Sequence, residues 1–131
     1  MTHPPIDQSV VWVYTEDLED TARFYGTMLG LALVLNQGGC RIFRMGASGF
    51  LGVCRVRPGR HVEPKGVVIT FVTSDVDAWH RHLLAQGVQP EGPPETKPAF
   101  NIYGFFARDP NGYLLEFQSF LNPAWPRGVA D

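Results

Sequence analysis

Cysteine is scarce. Cys40 and Cys54 are the only two in 131 residues. They are too few for a disulfide framework, and their spacing is not that of a metal-binding pair. They read as reduced core thiols, as expected of a cytoplasmic protein. Long apolar runs are missing too, so no segment suggests a membrane span. The opening MTHPPIDQ has no basic stretch leading into an apolar one. That argues against a secretory signal and again for the cytoplasm. Runs of like charge are absent. Eleven Lys and Arg stand against thirteen Asp and Glu, a formal net charge of −2. Such a balance offers no electrostatic case for binding nucleic acid or an anionic membrane. The four histidines, His3, His61, His80 and His82, include no pair four apart on one helix face. They read as solvated or half-buried surface groups. There is no nucleophile elbow, phosphate loop or dinucleotide fingerprint. Both cysteines fall in strand-like segments with no histidine to pair with them, so a cysteine nucleophile has no support.

What is present is enough apolar sequence, 44%, to bury the core of one domain over residues 1–131. The sequence also repeats. Residues 10–23, VVWVYTEDLEDTAR, align with residues 68–81, VITFVTSDVDAWHR, at an offset of 58. Val10 meets Val68, Thr15 meets Thr73, Asp17 meets Asp75 and Arg23 meets Arg81. Each copy runs on to a glycine, Gly30 or Gly87, and then to further β-like segments. These end in FLGVCRV (50–56) and YLLEFQS (113–119), at an offset of 63. Each copy therefore reads as strand, helix and three strands. The first module spans about 6–56, a linker 57–66, the second module about 67–121 and a tail 122–131.

Local signals place the elements. The Val, Trp and Tyr of 9–15 suit a strand. Asp17 or Thr15 can cap the following helix, whose stripe is Leu18, Ala22, Tyr25 and Leu29, widened by Phe24 and Met28. Gly30 ends it. The second helix starts at Ser74–Asp75, with Asp77 placed for a capping box. Val76, Trp79 and Leu83 form its stripe. Further strands are expected at 31–36, 39–45, 50–56, 88–91, 101–108 and 113–120. DPNG (109–112) reads as a tight hairpin turn. Trp125, in the tail, needs a cover.

The segments TEDLEDTARFYGTMLGL (15–31), TSDVDAWHRHLLAQGV (73–88) and ARDPNGYLLEFQSF (107–120) resemble the vicinal oxygen chelate superfamily, which includes glyoxalase I, extradiol dioxygenases and bleomycin-binding proteins. The resemblance covers about residues 6–120. It implies an α+β fold of two βαβββ modules forming a curled eight-stranded mixed sheet, with helices on the outer face. It also implies that homodimers are common. Metal-dependent members hold one divalent ion with four side chains, from the first and last strand of each module. Matching motifs puts those positions on Val10, Val53, Val68 and Glu116. Three valines and one glutamate cannot hold a catalytic ion, because valine offers no lone pair. No metal cofactor is therefore expected, with a divalent metal at other residues as the alternative.

Alternation along strands then defines the trough. Val10 brings Trp12 and Tyr14, Val68 brings Thr70, Glu116 brings Leu114 and Gln118, and Val53 brings Leu51 and Arg55. A tight hairpin at DPNG would set Tyr103 and Phe105 beside Glu116. The expected lining is Trp12, Tyr14, Arg55, Thr70, Tyr103, Phe105, Gln118 and Glu116, an aromatic wall with a few polar groups. The expected function is metal-free binding of a small organic ligand, in the manner of the bleomycin-binding members. The alternatives are a lyase, isomerase or dioxygenase using Glu116 for proton transfer or an atypical metal site, or a structural homodimer with a filled trough.

Overall fold

A computed structural model describes residues 3–126. In the first module β1 (Ser9–Thr15) leads to α1 (Leu18–Arg23), which continues into a π-helical turn, Phe24–Met28. Then come β2 (Leu33–Asn36), β3 (Cys40–Met45) and β4 (Gly49–Arg55). The second module runs β5 (Val68–Val72), α2 (Val76–Ala85), β6 (Glu95–Lys97), β7 (Ile102–Arg108) and β8 (Leu114–Phe120). The α+β class and the two βαβββ modules are as the sequence predicts. The eight strands lie in two four-stranded mixed sheets, ordered β1-β4-β3-β2 and β5-β8-β7-β6. In each, the module's first strand sits at an edge and runs parallel to its last. The strand expected at 88–91 lies instead at Glu95–Lys97. Its Pro-rich surroundings leave only three residues free to pair with β7.

One face of each sheet packs under the helices. Val13, Phe43, Leu51 and Val53 from the first sheet, and Ile69, Phe105, Leu115 and Phe117 from the second, are buried with Leu18, Tyr25, Leu29, Val76 and Leu83 of the helices. The helical stripes thus bury as their spacing requires. Asp17 caps α1 by accepting from the Asp20 amide. The capping box expected on α2 is absent. Thr73 Oγ1 accepts from the Asp75 amide, while Asp77 is taken by the Tyr103 hydroxyl.

The modules are latched through the loop between β7 and β8. It is not a tight two-residue turn. Arg108 pairs with Leu114, leaving five residues, Asp109 to Tyr113, in the loop. Gly112 alone among them has a positive φ, 89°. The Asp109 carboxylate accepts from the amides of Asn111 and Tyr113. It also accepts from the Tyr25 hydroxyl at 2.7 Å, across the module boundary. Asn111 accepts from Thr15 Oγ1 and donates to Thr21 Oγ1. On the other side, His82 Nε2 meets the carbonyls of Met28 and Leu29, where the π-helical turn ends.

Cys40 and Cys54 are not reduced thiols. They form a disulfide. The β3–β4 register sets them directly opposite, with Cα atoms 4.1 Å apart. Their spacing of 14 along the chain gave no hint of that. Trp125 finds its cover within the chain, stacked on Phe120 with ring centroids 3.7 Å apart.

Candidate functional site

The sheet faces turned away from the helices form the trough. In the second module this face carries Val68 and Thr70 of β5, Ile102 and Phe106 of β7, and Leu114, Glu116, Gln118 and Phe120 of β8. With Lys97 and Phe100 they line a hollow of about 500 Å³. Glu116 stands at its polar end. Thr70 Oγ1 donates to Glu116 Oε1 at 3.0 Å. With its amide turned so that the nitrogen faces the carboxylate, the orientation that satisfies both groups, Gln118 donates to Glu116, 2.9 Å from Oε2 and 3.3 Å from Oε1. No cation pairs with Glu116 among the described residues. Lys97 instead places its ammonium over the Phe106 ring, 3.9 Å from the centroid, a cation–π contact.

Of the residues expected from sequence, Thr70, Glu116 and Gln118 come together here. Trp12 and Tyr14 face the trough in the other module. Trp12 lies flat over Gly52, where a Cβ would come within 2.1 Å of its ring. Three expected lining residues are on the wrong face. Phe105 is buried toward α2, stacked on Phe117 and edge-on to His80. Tyr103 points the same way and donates to Asp77, a hydrogen bond that raises its pKa. Arg55 extends at the end of β4 on the helix side, where Leu51 and Val53 are wholly buried. The sequence reading missed Phe106, Ile102, Phe100 and Lys97. The five-residue loop is why: Phe106, not Phe105, lies opposite Glu116. The even-numbered alternation of Ile102 and Phe106 with Glu116 and Gln118 was the available signal.

The comparisons agree with this architecture. The family model described as Glyoxalase/Bleomycin resistance protein/Dioxygenase superfamily matches residues 6–117. The chain belongs to this superfamily. Among solved structures, a glyoxalase/bleomycin resistance protein/dioxygenase from Nocardioides is similar at 24% identity, with a TM-score of 0.75, over 99% of this chain and 93% of that one. A lactoylglutathione lyase from Agrobacterium tumefaciens shares 23% identity, with a TM-score of 0.72, over 95% of this chain and all of that one. A glyoxalase-related enzyme from Fulvimarina pelagi shares 26% identity, with a TM-score of 0.74, over 92% and 91%. No curated protein matches the chain.

Within the superfamily the register revises one metal-ligand position. In the second sheet Thr70 pairs with Glu116. Its repeat counterpart Trp12 pairs with Gly52. The first-module counterpart of Glu116 is therefore Gly52, not Val53, which is buried in the core. The four positions become Val10, Gly52, Val68 and Glu116. One carboxylate, already engaged by Thr70 and Gln118, does not make a divalent-ion site. No group of three or more His, Cys, Asp or Glu suited to a metal occurs among the described residues. No helix among them is long and apolar enough to cross a membrane.

Proposed function

We propose that this superfamily member binds a small, flat, largely apolar organic molecule in the second-module trough without the usual metal centre. The observation that carries the reading is Glu116, held in place by two neutral donors and open to an apolar hollow. Concave apolar walls with a few convergent polar groups are the usual form of such a site. Thr70 and Gln118 fix the orientation of the carboxylate without supplying a counter-charge. A ligand with a protonated amine, or a strong hydrogen-bond donor, would complete it. Phe106, Phe100 and Phe120 offer ring faces and edges to an aromatic body.

Thermal-shift and calorimetric titration against aromatic amines, neutral aromatics and aromatic carboxylates, each with and without chelator, tests this. Aromatic amines should bind best, with affinity unchanged by chelator. Glu116→Gln should weaken them by about tenfold, the cost of one charge-assisted contact. Preference for carboxylates, or binding that chelator abolishes, would overturn the reading. The same fixed carboxylate would serve for proton transfer if the chain is an enzyme. In that case Glu116→Gln would abolish turnover while leaving ligand affinity within a few-fold.

A further inference from the structure

We propose that the Cys40–Cys54 pair is a thiol–disulfide exchange centre that accepts an anionic low-molecular-weight thiol. The pair lies at the open end of the β3–β4 hairpin, on the trough face, with Cys54 in register with Tyr14. Backbone pairing also holds this hairpin together. Six consecutive residue pairs, from Cys40–Cys54 to Met45–Gly49, hold the two strands together. Two further backbone bonds, Gln37 N to Cys40 O and Arg55 N to Gly39 O, tie the same end. Cys54 is buried, and the pair is approached from the Cys40 side. Cys40 is half-buried, and a hollow of about 220 Å³ lined by Gly39, Arg55, Val56 and Arg57 opens onto both cysteines.

The surroundings are cationic. Between residues 40 and 62 the chain carries Arg41, Arg44, Arg55, Arg57 and Arg60 but no Asp or Glu. Arg41 is committed to Glu19. Arg55 and Arg57 are exposed and in no ion pair among the described residues. A second hollow, lined by Arg57, Arg60 and His61 with Glu16 its one acid, adjoins the first through Val56 and Arg57. Arg55, whose side chain leaves β4 on the opposite face, and Arg57 make the mouth of this hollow positive, which draws in an anionic thiol and favours the thiolate that leaves.

A thiolate RS⁻ attacks Sγ of Cys40, the more exposed residue of the pair. The S–S bond breaks, its electron pair stays on Sγ of Cys54, and a Cys40–S–S–R mixed disulfide forms. A second RS⁻ attacks the R sulfur, releasing RSSR and the Cys40 thiolate. Both protein thiolates then take protons from water. Two thiols are oxidised to one disulfide, and the protein disulfide is reduced to two thiols.

The test uses the full chain purified without reductant. Reduction is timed by alkylation and mass spectrometry with mercaptosuccinate, 2-mercaptoethanol and cysteamine as anionic, neutral and cationic probes, compared at equal thiolate concentration. Mercaptosuccinate should react about tenfold or more faster than 2-mercaptoethanol, the size expected of electrostatic guidance. The advantage should vanish in about 0.5 M salt, where screening is short-ranged, and in Arg55→Gln/Arg57→Gln. Equal rates for the three probes, a faster cationic probe, resistance to all of them, or cysteines alkylated before any thiol is added would each overturn the proposal. Should the double variant fail to fold, the probe series and the salt series on the natural chain still decide.

Discussion

Gly52 and Trp12 face each other across β4 and β1, and the ring fills the space a side chain at 52 would need. Alanine there must displace a rigid indole, so Gly52→Ala should destabilise the fold by about 1–3 kcal/mol, the usual range for overpacking. Chemical denaturation would measure it. Trp12→Ala in the same chain should recover most of the loss, because the two sites are coupled by direct contact. Tyr25 supplies a second test at this scale. It is fully buried, and its pKa is raised well above the ordinary 10, first by burial and then by the charge and hydrogen bond of Asp109. Its neutral form is therefore the one the fold favours. The stability tied to it is fully present below about pH 10 and falls as pH rises above that, because the unfolded chain ionises first. Tyr25→Phe should cost about 1–3 kcal/mol at neutral pH by stripping a donor from buried Asp109. It should also lose part of the alkaline fall. Denaturation midpoints of both proteins from about pH 8 to 11 would show whether the two curves converge as this requires.

At the scale of elements, the 109–113 loop does more than turn the chain. Its Asp109 and Asn111 side chains reach Tyr25, Thr15 and Thr21 and so join the second hairpin to the first module's helix. Asn111→Ala would take one partner from each of two hydroxyls, which keep their bond to each other, and would cut this tie between the modules. We expect a loss of about 1–2 kcal/mol in thermal or urea unfolding, with the far-UV spectrum unchanged. This loop also marks where the sequence stopped being legible. The helices were readable because their apolar stripes bury as spaced, and β1 because its Val, Trp and Tyr suit a pleated strand. Which face of β7 meets Glu116 depends on whether the loop between β7 and β8 has an even or odd number of residues, and a one-residue difference moves every side chain to the other face. DPNG reads as a tight turn, yet Tyr113 belongs to the loop and shifts the pairing by one. The same one-residue ambiguity separated Val53 from Gly52. Thr70, Glu116 and Gln118 escaped it because β5 and β8 run parallel in direct register. The disulfide was illegible for a related reason. It depends on β3–β4 register, which two isolated cysteines do not reveal.

For the whole molecule, the unsettled surface is the trough itself. Each sheet ends on its module's first strand. β1 exposes Val10, Val11 and Trp12, and β5 exposes Val68 and Val72, each between 40% and 52% accessible. β2 adds Leu33, Val34 and Leu35. Exposed apolar edge strands of this kind invite pairing, and contiguous apolar patches on this scale are uncommon on monomers. We expect a homodimer in which a second copy covers these edges and brings a Trp12 face toward a Glu116 face. Light scattering after size exclusion should give twice the 14.6 kDa of one chain. Val10→Glu should shift it toward monomer, since a buried unpaired carboxylate at an interface costs several kcal/mol. The variant's own unfolding should change little, because Val10 is 40% exposed within a single chain. A natural chain that stays monomeric at about 100 μM, well above the dissociation constant of an ordinary stable interface, would mean that the trough stands open and that the second-module hollow binds its ligand alone.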